Sequence, residues 1–115
     1  MDTTSKICER TYVVVEQSVR YEITLHTNYM VIDIYHYDRD FGTKIRISEL
    51  RIGFEDIETV VTTMSLERCC FSLQMVEGSN FSTTFSLNYD PIHYKVLHDL
   101  HTMVLISIEQ AKRLK

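Results

Sequence analysis

With 115 residues, 44% of them hydrophobic, the chain is long enough to bury roughly 65% of its unfolded surface as one domain without metal or disulfide staples. A net charge of −4 and a pI near 5.7 exclude a protein whose whole surface attracts phosphate, so any nucleic-acid binding has to be local. Three glycines and one proline leave no linker, and the longest apolar run, residues 103 to 108, is far short of the ~20 residues of a membrane span.

Residues 1 to 10 are polar and read as a flexible N-terminal tail ahead of a single domain over 11 to 115. Residues 11 to 18 are β-branched and aromatic, which favours a strand. Over 20 to 27, Tyr21, Ile23 and Leu25 alternate with Arg20, Glu22 and Thr24, the period of a half-buried strand. Over 29 to 37, Met30, Ile32 and Ile34 oppose Val31, Asp33, Tyr35 and Tyr37. Asn28 and the cluster from Asp38 to Gly42 supply turn residues, and Thr43, Ile45 and Ile47 then oppose Lys44, Arg46 and Ser48 in a fourth strand. After Leu50 the spacing of Phe54, Ile57, Val60 or Val61, and Met64 predicts an amphipathic helix over about 54 to 66. Residues 71 to 76 and 81 to 87 read as a hairpin around a turn at 77 to 80. Asp90 followed by Pro91 starts a helix that runs to about 114. The expected fold is α+β, an antiparallel sheet with helices on one face in the order ββββα-ββα.

Catalytic and metal chemistry find no constellation in these residues. Cys8, Cys69 and Cys70 are odd in number and follow no signal-peptide pattern, so they are expected to be reduced in an intracellular chain, nuclear or cytoplasmic. Asp40-Phe41-Gly42 is a turn without the loops that give that string meaning in kinases. Of His93, His98 and His101 only the last two share a helix side, and two ligands make a poor metal site. No nucleophile comes with a base and an orienting acid, so no catalysis, cofactor or metal is expected.

The last helix carries a heptad pattern: Leu97, Val104 and Ala111 recur every seven residues, as do Leu100 and Leu114, with Ser107 breaking the second series. Ile92, Val96, Met103, Leu105 and Ile106 widen the apolar surface until the middle of the helix is hydrophobic nearly all round. Two readings stand: a core helix under its own sheet, or a helix shared across a homodimer interface. The wet side of the strands is equally unusual, because it carries Tyr35, Tyr37, Lys44 and Arg46. Cations for phosphates and aromatics for bases suit a single strand, where stacking contributes about 1–3 kcal/mol per base.

Ile32-Asp33-Ile34 with Tyr37, then Ile47-Ser48 with Leu50 one residue late, resemble over residues 20 to 64 the positive cofactor four family of single-stranded-DNA-binding transcriptional coactivators. Whirly and purine-rich-element-binding proteins have similar helix-backed sheets. The resemblance implies a dimerising ββββα unit that holds unpaired DNA on its outer sheet face, through Thr24, His26, Tyr35, Tyr37, Lys44 and Arg46. Arg20 lies in the same polar row. The chain departs from the family pattern where Tyr35 replaces an arginine, Thr24 a cation and His26 an aromatic, and where the helix lacks tryptophan. The expected function is a non-catalytic single-stranded nucleic-acid-binding protein, a homodimeric accessory factor of transcription or replication. The alternative is an acidic adaptor that binds a protein partner and no nucleic acid.

Overall fold

The structure, a computed structural model, describes residues 9 to 78 and 85 to 113. Cys8, Leu114, most of the expected tail and the middle of the 71 to 87 hairpin lie outside the described residues. The protein is α+β, with a four-stranded and a three-stranded antiparallel sheet and one C-terminal helix. By contact it divides into two compact units, Met1–Ile52 and Gly53–Lys115.

In the first unit, β1 (Arg10–Glu16), β2 (Val19–Leu25), β3 (Tyr29–Asp38) and β4 (Thr43–Gly53) lie side by side in chain order. All four strands fall where composition and alternation placed them, within a few residues at their ends. β1 and β2 are joined by Gln17 and Ser18 alone, and Gln17 takes φ 56°, the left-handed conformation that a two-residue hairpin demands. The β3–β4 turn is built by Asp38, whose carboxylate accepts from the backbone N–H of Asp40 and Phe41, and closes at Gly42 with φ 67°. Opposed residues share a face, so Tyr12, Val14, Ile23, Leu25, Met30 and Ile32 form one buried row. Thr11, Arg20, Glu22, Thr24, Asp33 and Tyr35 form the other.

The second unit departs from expectation. The helix predicted over 54 to 66 is a single 3-10 turn, Phe54–Asp56, followed by strand β5 (Ile57–Met64). Two physical facts explain the error. The segment is a run of β-branched residues, Ile57, Thr59, Val60, Val61, Thr62 and Thr63, whose stiff side chains favour a pleated surface. A bulge between Ile57 and Thr59 then turns Ile57 and Val60 to the same buried side, so a strand imitates the i, i+3 spacing of a helix. β5 pairs with β6 (Cys69–Met75), and β6 with β7 (Ser86–Tyr89). The observed order is therefore ββββ-βββ-α, with two sheets in place of one.

The final helix begins as expected: Asp90 Oδ1 accepts from Ile92 N–H at 3.0 Å, Pro91–His93 form a 3-10 turn, and α1 runs over Tyr94–Arg113. α1 packs on β5, β6 and the Phe54 turn. Leu97, Leu100, Val104 and Ile108 are buried there with Phe54, Ile57, Phe71 and Leu73. Three of the five residues expected at a dimer interface, Leu97, Leu100 and Val104, thus line the core of their own unit, while Ala111 is half-buried at its margin. Only one side of α1 is buried, although its middle is apolar nearly all round. No helix among the described residues is long and apolar enough to cross a membrane.

Candidate functional site

The β2–β3 register sets Arg20 opposite Tyr35 and Glu22 opposite Asp33. Two carboxylates directly opposed repel one another, and cations from β2 and β4 resolve the conflict. Arg20 Nε donates to Glu22 Oε2 at 2.7 Å, and Lys44 Nζ donates to the same oxygen at 2.6 Å. Arg46 lies 3.5 Å from Asp33 Oδ1 and 3.8 Å from Glu49 Oε2. Asp33 Oδ1 is buried without a hydrogen bond among the described residues, so the Arg46 contact at 3.5 Å is a Coulombic pair.

Lys44 reaches Glu22 only by crossing β3, because β3 lies between β4 and β2. In doing so its ammonium sits 4.4 Å from the centre of the Tyr35 ring. The Arg46 guanidinium lies 5.8 Å from the centre of the same ring. Tyr35 is buried as a result, on the row that alternation assigns to solvent. Arg20 lies 5.5 Å over Tyr37 in the same manner. Burial alone would raise the Glu22 pKa, but the hydrogen bonds from Lys44 and Arg20 hold it below the ordinary carboxylate value. The Tyr35 hydroxyl and the Asp33 carboxylate raise that of Arg46.

His26 stands just past the end of β2, with Nδ1 2.9 Å from Glu9 Oε2 and its ring stacked on Tyr29 at 4.6 Å. Arg51 lies 4.8 Å over Tyr29. Tyr29 and Tyr35 are six residues apart on β3 and so share a face, yet their cations, Arg46 and Arg51, are five apart on β4.

Of the six residues expected to bind nucleic acid, Arg20, Tyr35, Tyr37, Lys44 and Arg46 come together on one face, and His26 ends the row beside Tyr29. Reading cations and aromatics alone missed Glu22, Asp33 and Glu49, which match Arg20, Lys44 and Arg46 charge for charge. Their signal was present: once Thr27 and Asn28 form a two-residue turn with His26 opposite Tyr29, Glu22 must oppose Asp33 and lie next to Arg20 and Tyr35 on that face. The tyrosine rings meanwhile carry the protein's own cations.

The edge of this sheet is different. β4 has β3 on one side and no hydrogen-bonded strand on the other among the described residues. Its apolar row is open: Phe41 in the turn is 81% exposed, Ile45 71% and Ile47 61%.

The chain matches no family model, no curated protein and no solved structure.

In the second unit the histidines of α1 are engaged in packing. His101 Nδ1 is 2.6 Å from Thr62 Oγ1, and burial, with His98 nearby, lowers its pKa. His98 stacks on Tyr94 at 5.5 Å. Tyr89 is fully buried, its hydroxyl has no hydrogen-bond partner among the described residues, and burial with the Cys69 thiol nearby pushes its pKa up to about 12. No three His, Cys, Asp or Glu side chains among the described residues are grouped to hold a metal ion.

Proposed function

We propose that the protein is a non-catalytic protein-interaction module that docks an extended segment of a partner along the edge of its first sheet. The observation that carries this reading is the open apolar edge of β4, where Phe41, Ile45 and Ile47 are mostly exposed beside backbone groups that have no strand to pair with among the described residues. An exposed apolar edge invites uncontrolled pairing, and a docked strand removes the hazard while satisfying its N–H and C=O groups. Main-chain hydrogen bonds supply affinity in this mode, and the side chains at alternate positions supply selectivity. The fitting partner is an extended segment with apolar residues at every second position, laid against Ile45 and Ile47.

The neighbouring face supports the same choice. Phosphates would have to take Lys44 and Arg20 from Glu22, and Arg46 from Asp33 and Glu49, leaving three carboxylates facing the anion. The single-stranded nucleic-acid reading rests on a different observation, the gathering of five of its six residues on one face. Affinity purification of a cellular partner, compared between the wild type and Ile45→Lys/Ile47→Lys, separates the two readings. A nuclease-insensitive protein partner held by the wild type and lost by the double variant is the expected result. Equal capture by both forms refutes the β4 edge. Micromolar binding of a labelled ~20-nucleotide single strand at about 50 mM salt, abolished by Lys44→Ala/Arg46→Ala, would establish the nucleic-acid reading in its place.

A further inference from the structure

Helix α1 carries two apolar rows, and packing within its unit uses one of them. Leu97, Leu100, Val104 and Ile108 are the buried row. A second row, Ile92, Val96, Met103 and Ile106, runs along another side, from the 3-10 turn through α1, and no residue of it is buried: Ile92 is 82% exposed and Ile106 44%. With Asp99 and Gln110 these residues occupy positions 92, 96, 99, 103, 106 and 110, spaced alternately by four and three, the a/d spacing of a helix-to-helix seam.

The positions bordering this seam on its solvent side are Lys95, Thr102 and Glu109, all exposed and seven residues apart. Neither Lys95 nor Glu109 makes an ion pair among the described residues. They lie 14 residues, about 21 Å, apart on one helix, too far to pair with each other. A second α1 laid antiparallel across a two-fold axis near Thr102 brings Lys95 of one copy to Glu109 of the other, and the symmetry makes the pair twice. The same register sets Val96 beside Ile106 of the second copy. A parallel arrangement places like charges at the same level and loses both pairs. Charge and apolar pattern thus select one occupant and one direction.

We infer that the exposed side of α1 is a self-association surface, on which two copies of this chain pair antiparallel through Val96, Met103 and Ile106 with reciprocal Lys95–Glu109 ion pairs. The surface lies on α1 and is independent of the β4 edge, so either can fail without the other. Asp99 interrupts the apolar row, so the association is weaker than that of an uninterrupted seam.

The test is sedimentation equilibrium of the full chain from about 5 to about 500 μM, with circular dichroism melts at the lowest concentration to confirm folding. The wild type is expected to shift from monomer to dimer across this range. Ile106→Asp, at an exposed position, should stay monomeric with an unchanged melt, and Asp99→Leu should dimerise at lower concentration. Lys95→Glu alone and Glu109→Lys alone should each weaken the dimer about tenfold, because two pairs turn repulsive, and the double charge swap should restore it. A wild type that is monomeric at the highest concentration overturns the inference. So does a dimer indifferent to Ile106→Asp, or a double swap no better than either single change.

Discussion

Glu22→Gln tests whether the outer face of the first sheet is a self-neutralising ion-pair lattice. The substitution keeps the shape of the side chain and removes the charge shared by Arg20 at 2.7 Å and Lys44 at 2.6 Å. A hydrogen bond to a charged partner contributes about 1.5–3 kcal/mol and a neutral one about 0.5–1.5, so two conversions amount to roughly 2 kcal/mol. Lys44 is partly exposed, water and salt screen its share, and the expected loss is about 1–1.5 kcal/mol at low ionic strength. Urea denaturation at pH 7 measures it, and the difference should shrink at about 0.5 M salt. The pH dependence has a definite sign. The folded-state pKa of Glu22 lies below its ordinary 4.5, so its contribution is present above that value and lost as the pH falls through the folded one. The variant should lack that acid-side loss. It should also free Arg20 and Lys44, so that a labelled single strand binds the variant more tightly than the wild type. Stability equal to wild type within about 0.3 kcal/mol, with the same acid limb, would refute the lattice.

Three further outcomes are expected. Leu100→Ala should cost about 2–5 kcal/mol by denaturation, equally at low and high protein concentration, because Leu100 is fully buried within its own unit; a concentration-dependent cost would contradict that placement. The left-handed turn positions should respond in opposite directions, Gln17→Gly gaining and Gly42→Ala losing roughly 1 kcal/mol, as measured by thermal melts. His101, with its pKa lowered by burial, should make the protein less stable as the pH falls below its ordinary 6.5, where the unfolded chain takes up the proton first. His101→Gln should flatten that slope, and an unchanged slope would assign it to other groups.

Local composition and periodicity located the strands of the first unit. β-branched residues marked β1 and two-residue alternation marked β2, β3 and β4, and in β2 and β3 it also marked the inner row, whereas the apolar row of β4, Ile45 and Ile47, lies exposed. The turn chemistry of Asp38 and Gly42 and the Asp90-Pro91 helix start were equally local, since each is decided by one side chain and the next few backbone groups. β5 was not legible, because a bulge changes which residues share a face and only pairing with β6 puts it there. The outer face shows the same division. The strand order carries Lys44 across β3 onto Glu22, burying Tyr35 and neutralising cations that looked free for phosphate. Likewise α1 declared two apolar rows in its sequence, but which of them faces the core depends on the sheet it packs against. Sequence determines what each segment can bury; only the tertiary structure decides against what, because long-range pairing sets the distances at which charges cancel and apolar rows meet.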